Sequence, residues 1–66
     1  MTKTEAVKLI LAHMADVRSQ DHVDDEARQY ALGHLFSVID SILDQSKYAN
    51  RRKFRKIEAE FIAENN

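Results

Sequence analysis

The sequence predicts an all-α fold, a three-helix bundle or a helical hairpin. Three observations carry that prediction. Apolar residues recur at three- and four-residue spacing through most of the chain, the period of a helix with one buried face. There is no Pro and a single Gly, Gly33, so the turn residues that hairpins and sheets need are almost absent. Ala, Leu, Glu, Lys, Arg and Gln, all good helix formers, are frequent.

The first helix opens at Thr2-Lys3-Thr4-Glu5. Thr2 and Glu5 have the spacing of a capping box, in which each side chain satisfies a backbone donor at the helix start. Val7, Ile10, Leu11, Met14 and Val17 then form the apolar stripe, with Leu9 and His13 beside it, and the helix is expected to end near Ser19-Gln20. SQDHVDD, residues 19–25, is the loop, rich in side chains that compete with helical backbone bonds. Asp21 or Asp24 is the expected cap of the second helix. Asp24, Asp25 and Glu26 fall in its first turn, where acids favour the positive end of the helix dipole.

The second helix is expected from about Asp24 to about Gln45. Ala27, Ala31, Leu35, Val38 and Ile42 make one stripe, and Leu32, Phe36, Ile39 and Leu43 a second beside it. The two cover about half the circumference. So wide a face predicts a central helix that touches two neighbours or a second subunit. Gly33 falls on its polar side, at a cost of about 1 kcal/mol against Ala, and close approach of another backbone is one compensation.

Beyond Leu43 two arrangements stay open. Ser46 can cap a third helix, giving a three-helix bundle. Yet the stripe Leu32, Phe36, Ile39, Leu43 continues in phase through Lys47, Asn50, Phe54, Ile57 and Phe61, so one helix from about Asp24 to about Ala63 is the alternative. It would be about 60 Å long at 1.5 Å per residue and would need a dimer to cover it. The usual length of globular helices favours the turn at Ser46. The tail Glu64-Asn65-Asn66 is expected to fray.

A chain of 66 residues reads as one small helical domain, 1–66, with a marginal core of its own. Without Cys it has no disulfide or thiolate metal site to help, so self-association is the expected remedy. Leu32, Phe36, Ile39, Leu43, Phe54, Ile57 and Phe61 are the candidate core or subunit contact. No run reaches transmembrane length, and the charged N-terminal stretch lacks the features of a signal peptide. A cytoplasmic protein that does not engage membranes is expected.

Charge is unevenly spread. The formal net charge is −1, yet residues 1–46 hold four basic and eight acidic side chains, residues 47–56 six basic and no acidic, and residues 57–66 three acidic. The block KYANRRKFRK carries Lys47, Arg51, Arg52, Lys53, Arg55 and Lys56. On a helix, Lys47–Arg51, Arg51–Arg55 and Arg52–Lys56 are like-charge neighbours, each costing roughly 0.2–0.5 kcal/mol. Arg55–Glu58 and Lys56–Glu60 return part of this. Three anions would relieve the block: nucleic-acid phosphate, an acidic partner protein, or the Asp21, Asp24, Asp25, Glu26 end of the second helix in this or another subunit. A solvated face is the plain alternative. Tyr48 and Phe54 interleave with the cations, but Phe54 lies on the core stripe. The cations spread widely around the helix, which argues against a groove-reading face.

Other features carry less. Leu35–Leu43 as the recognition helix of a helix-turn-helix would have no basic side chain, so that reading is rejected. His22 with Asp25 and Glu26 has metal-like spacing, but one His with carboxylates is ordinary at a helix start; His13 and His34 read as border residues. Ser37, Ser41 and Ser46 lack a nucleophile motif, and Asp40 and Asp44 read as solvated. No catalytic residue, cofactor or metal ligand is assigned. The expected function is a small non-enzymatic protein–protein interaction or regulatory accessory module, acting as a homo-oligomer through the apolar face of the second helix. The alternative is a small nucleic-acid-binding regulator using residues 47–56.

Overall fold

The computed structural model describes residues 1–65 as three helices: α1 (Lys3–Arg18), α2 (Asp25–Leu43) and α3 (Lys47–Glu64). They pack as an all-α three-helix bundle around one core made of Val7, Leu11, Met14 and Val17 from α1, Leu32, Ile39 and Leu43 from α2, and Ile57 from α3. Ile10, Ala31, Leu35, Ile42, Phe54 and Phe61 are half-buried against it.

Local chemistry sets the three starts. The Glu5 amide donates to Thr2 Oγ1 at 3.1 Å and the Thr2 amide to Glu5 Oε1 at 3.4 Å, completing the capping box of α1. Asp24 is the cap residue of α2, but its side chain makes no capping hydrogen bond. The loop before it is held by Arg28 instead: its Nη2 donates to the carbonyls of Gln20 at 2.6 Å and Val23 at 3.2 Å, and its Nη1 lies 3.6 Å from Asp25. At α3, Ser46 Oγ accepts from the Ala49 amide at 3.2 Å.

The continuous α2–α3 helix does not form. Leu43 ends α2, Asp44 turns into the left-handed region with φ 51° and ψ 44°, and Ser46 opens α3. Asn50, a polar position on the in-phase stripe, bridges the turn. It is buried, its Oδ1 accepts from the Gln45 amide at 3.1 Å, and its Nδ2 donates to the Asp40 carbonyl at 3.3 Å. One side chain thus satisfies a donor inside the turn and a carbonyl in the last turn of α2.

Two expectations change. The central element is α1, which contacts α2 and α3 more extensively than they contact each other. Its stripe is narrow, since Leu9 and His13 are exposed, but it lies between the other two. The wide face of α2 is correspondingly only part covered: Ala27 is exposed and Phe36 is 41% exposed. At the C-terminus, Glu64 belongs to α3, and the Asn65 side chain donates to the Phe61 carbonyl at 2.8 Å. Asn66, the end of the tail expected to fray, lies outside the described residues. Among the described residues, no helix is long and apolar enough to cross a membrane.

Candidate interaction surface

The residues singled out for binding divide between the core and α3. Leu32, Ile39, Leu43 and Ile57 are buried within one chain, and Phe54 and Phe61 are half-buried beside them. Phe36 stands at the margin. Its ring meets that of Phe54 edge to face, with centroids 5.6 Å apart and planes at 71°. This is the favoured geometry of an aromatic pair.

All six cations, Lys47, Arg51, Arg52, Lys53, Arg55 and Lys56, are exposed. Among the described residues none of them has a carboxylate within ion-pair distance. The anticipated Lys56–Glu60 pair is absent because Glu60 turns to α1. Lys8 Nζ lies 3.5 Å from Glu60 and donates a hydrogen bond to Glu64, tying α1 to α3. That hydrogen bond, with the charge of both carboxylates, raises the Lys8 pKa above its ordinary 10.5 against the opposing pull of desolvation. Arg55 and Glu58 likewise form no ion pair. Nor do the acids at the start of α2 reach the block: Asp25 pairs with Arg28. Among the described residues, the partner of a block cation is aromatic, with the Arg52 guanidinium 5.8 Å from the centre of the Tyr48 ring.

The six split between two hollows on either flank of α3. A groove of about 330 Å³ between α2 and α3 is lined by Phe36, Ile39 and Phe54, by Lys47, Arg51 and Arg55, and by Asn50, Asp40 and Glu58. It lies where α2 and α3 contact each other less extensively than either contacts α1. A shallower hollow of about 280 Å³ is lined by Arg52, Lys53 and Lys56 with Gln45 and Ala49. The first offers aromatic surface ringed by cations and two acids; the second offers positive charge alone. Sequence periodicity placed Phe36 and Phe54 on one stripe but carried no sign that their edge would stay open, because that depends on how α2 and α3 pack across the turn at Asp44–Ser46.

His22, Asp25 and Glu26 do not converge, and among the described residues no group of three or more His, Asp or Glu side chains is arranged to hold a metal ion. Comparison with protein-family models, with curated proteins and with solved structures finds no match to this chain.

Proposed function

We propose that this chain is a small, non-enzymatic, cytoplasmic interaction module that self-associates and uses the basic surface of α3 to recognise an acidic protein partner. The observation that carries the reading is that six exposed cations on α3 have no carboxylate partner among the described residues, and three of them, Lys47, Arg51 and Arg55, border a groove lined by an aromatic pair. Aromatic side chains and Arg are the residues that dominate the energetics of protein interfaces, while charge sets orientation and on-rate. Most of the apolar face of α2 is spent on the core of its own chain, so self-association falls to the margin at Phe36.

A second reading, a small nucleic-acid-binding regulator, is favoured by a different observation. The hollow of Arg52, Lys53 and Lys56 has no acid in its lining, as contact with a phosphate backbone requires.

Sedimentation of the purified chain over a range of concentrations, with fluorescence anisotropy on short DNA and RNA, separates the two. The leading reading expects reversible self-association and no nucleic-acid binding at low salt. A chain that stays monomeric and binds nucleic acid, with affinity that falls steeply with salt and is lost in the Arg51→Ala, Arg52→Ala double variant, replaces it with the second reading.

A further inference from the structure

Three of the six cations on α3 form a row. Lys47, Arg51 and Arg55 repeat every four residues, line the α2–α3 groove and are exposed. Their charges follow one another about 6 Å apart along the axis, within about a quarter of the helix circumference. Glu58, half-buried, continues the row one turn on, and Asp40 stands on the opposite wall, on α2. Among the described residues, none of these five side chains has an opposite charge within ion-pair distance. The groove is therefore polarised. Its α3 wall is positive from Lys47 to Arg55, its α2 wall and its far end are negative, and Phe36 and Phe54 supply apolar surface between them.

We propose that this groove takes one face of an amphipathic helix of an acidic partner protein, with acids four residues apart along the α3 wall and an apolar side chain on the Phe36–Phe54 pair. Charge complementarity argues the occupant. A row of cations with a repeat of about 6 Å is matched by carboxylates at i, i+4 and i+8 of a second helix lying along α3. Phe54 falls between Arg51 and Arg55 in the chain, so the apolar anchor falls between two of the partner's acids. At about 330 Å³ the groove is at the low end of ligand sites. It admits side chains while the partner's backbone stays above the rim, as an amphipathic helix laid in a groove does. Asp40 and Glu58 restrict the pattern further. Acids on both edges of the partner helix would meet Asp40, and an acid one turn beyond the row would meet Glu58, so the acids belong on one edge with a cation after them. A phosphate backbone, negative on every side, meets both carboxylates as repulsion. The hollow of Arg52, Lys53 and Lys56, with no acid in its lining, is the surface that the nucleic-acid reading would use.

This inference rests on the acidic-partner reading above and not on self-association. Fluorescence anisotropy in dilute protein, with the full chain and labelled synthetic peptides, tests it. The probe is an Ala-based helical peptide with three Glu residues four apart on one edge, Leu residues beside them and a Lys one turn beyond the last Glu. It is expected to bind, with affinity that falls as salt rises. Redistributing the same residues around the helix, or placing a Pro at its centre, should weaken binding roughly fivefold or more. Phe36→Ala and Arg51→Ala should each do the same with helical circular dichroism unchanged, while the Arg52→Ala, Lys53→Ala double variant binds as the wild type does. Arg51→Glu should lose the probe and regain affinity for a peptide whose middle Glu is replaced by Lys. If the redistributed and Pro-broken peptides bind as well as the probe, or if binding is lost in the Arg52→Ala, Lys53→Ala variant and kept in Arg51→Ala, an acidic partner stands and the helix in the groove is overturned. If no acidic peptide binds even at low salt, both are overturned.

Discussion

Asp44 and Asn50 decide the topology at the scale of single residues. Asp44 holds the left-handed conformation at the end of α2, which non-glycine residues adopt at a cost of about 1–2 kcal/mol. Its carboxylate also lies at the negative end of the α2 dipole, where a cation would be favoured. Asp44→Gly therefore stabilises the fold by about 1 kcal/mol, read as a melting temperature higher by about 4–8 °C for a domain of this size. Asp44→Asn gives a smaller gain of the same sign. Asn50 acts in the opposite sense. Asn50→Leu keeps the volume but strands the part-buried Gln45 amide, while the Asp40 carbonyl keeps the Asp44 amide as donor, and a buried polar group left alone costs about 1–3 kcal/mol. Urea denaturation, with its midpoint lowered in Asn50→Leu and raised in Asp44→Gly, checks the pair together. If Asn50→Leu were neutral, the turn would be held by Ser46 alone.

Among the elements, α1 is the keystone, and its polar tie to α3 runs through Lys8. Because the Lys8 pKa is raised above 10.5 in the folded chain, its contribution is fully present at neutral pH. It is lost as pH rises through and beyond that value. Melting Lys8→Met beside the wild type from pH 7 to pH 11 is expected to show the variant lower at neutral pH and the gap closing at the alkaline end. A gap independent of pH would mean that the stem of Lys8, not its charge, does the packing. What could be read ahead at this scale follows the kind of force involved. The capping box at Thr2, the Ser46 cap and the α1 stripe are short-range patterns, and all are present in the fold. The choice of α1 as the central helix was not legible. It depends on tertiary packing across a turn bridged by one buried amide, Asn50, whose partners lie five and ten residues back. The basic block was legible as a block, but the desertion of Glu60 to Lys8, which leaves Lys56 unpaired, is a long-range contact with no local signature.

At the scale of the whole molecule, the charge distribution works against the monomer. Three like-charge neighbours along α3 stand without acids to offset them, and Lys47 occupies the first turn, at the positive end of the helix dipole. These repulsions are a small standing cost to the fold that a single substitution can remove. Arg51 shows this most directly, since it has like-charge neighbours four residues away on both sides, Lys47 and Arg55. Removing it relieves two repulsions of roughly 0.2–0.5 kcal/mol each and places a better helix former on the surface. Arg51→Ala is thus expected to raise the melting temperature at low salt and dilute protein, where the chain is monomeric, with helical content unchanged. The gain should shrink as salt shortens the Debye length to about 8 Å at physiological ionic strength. Under the proposed function, the same substitution is expected to weaken binding to the acidic partner. Stability up and binding down is the signature of charge retained for a partner. A fall in melting temperature instead would assign Arg51 a structural contact within the chain, and the α2–α3 groove would then be part of the fold and not a surface for binding.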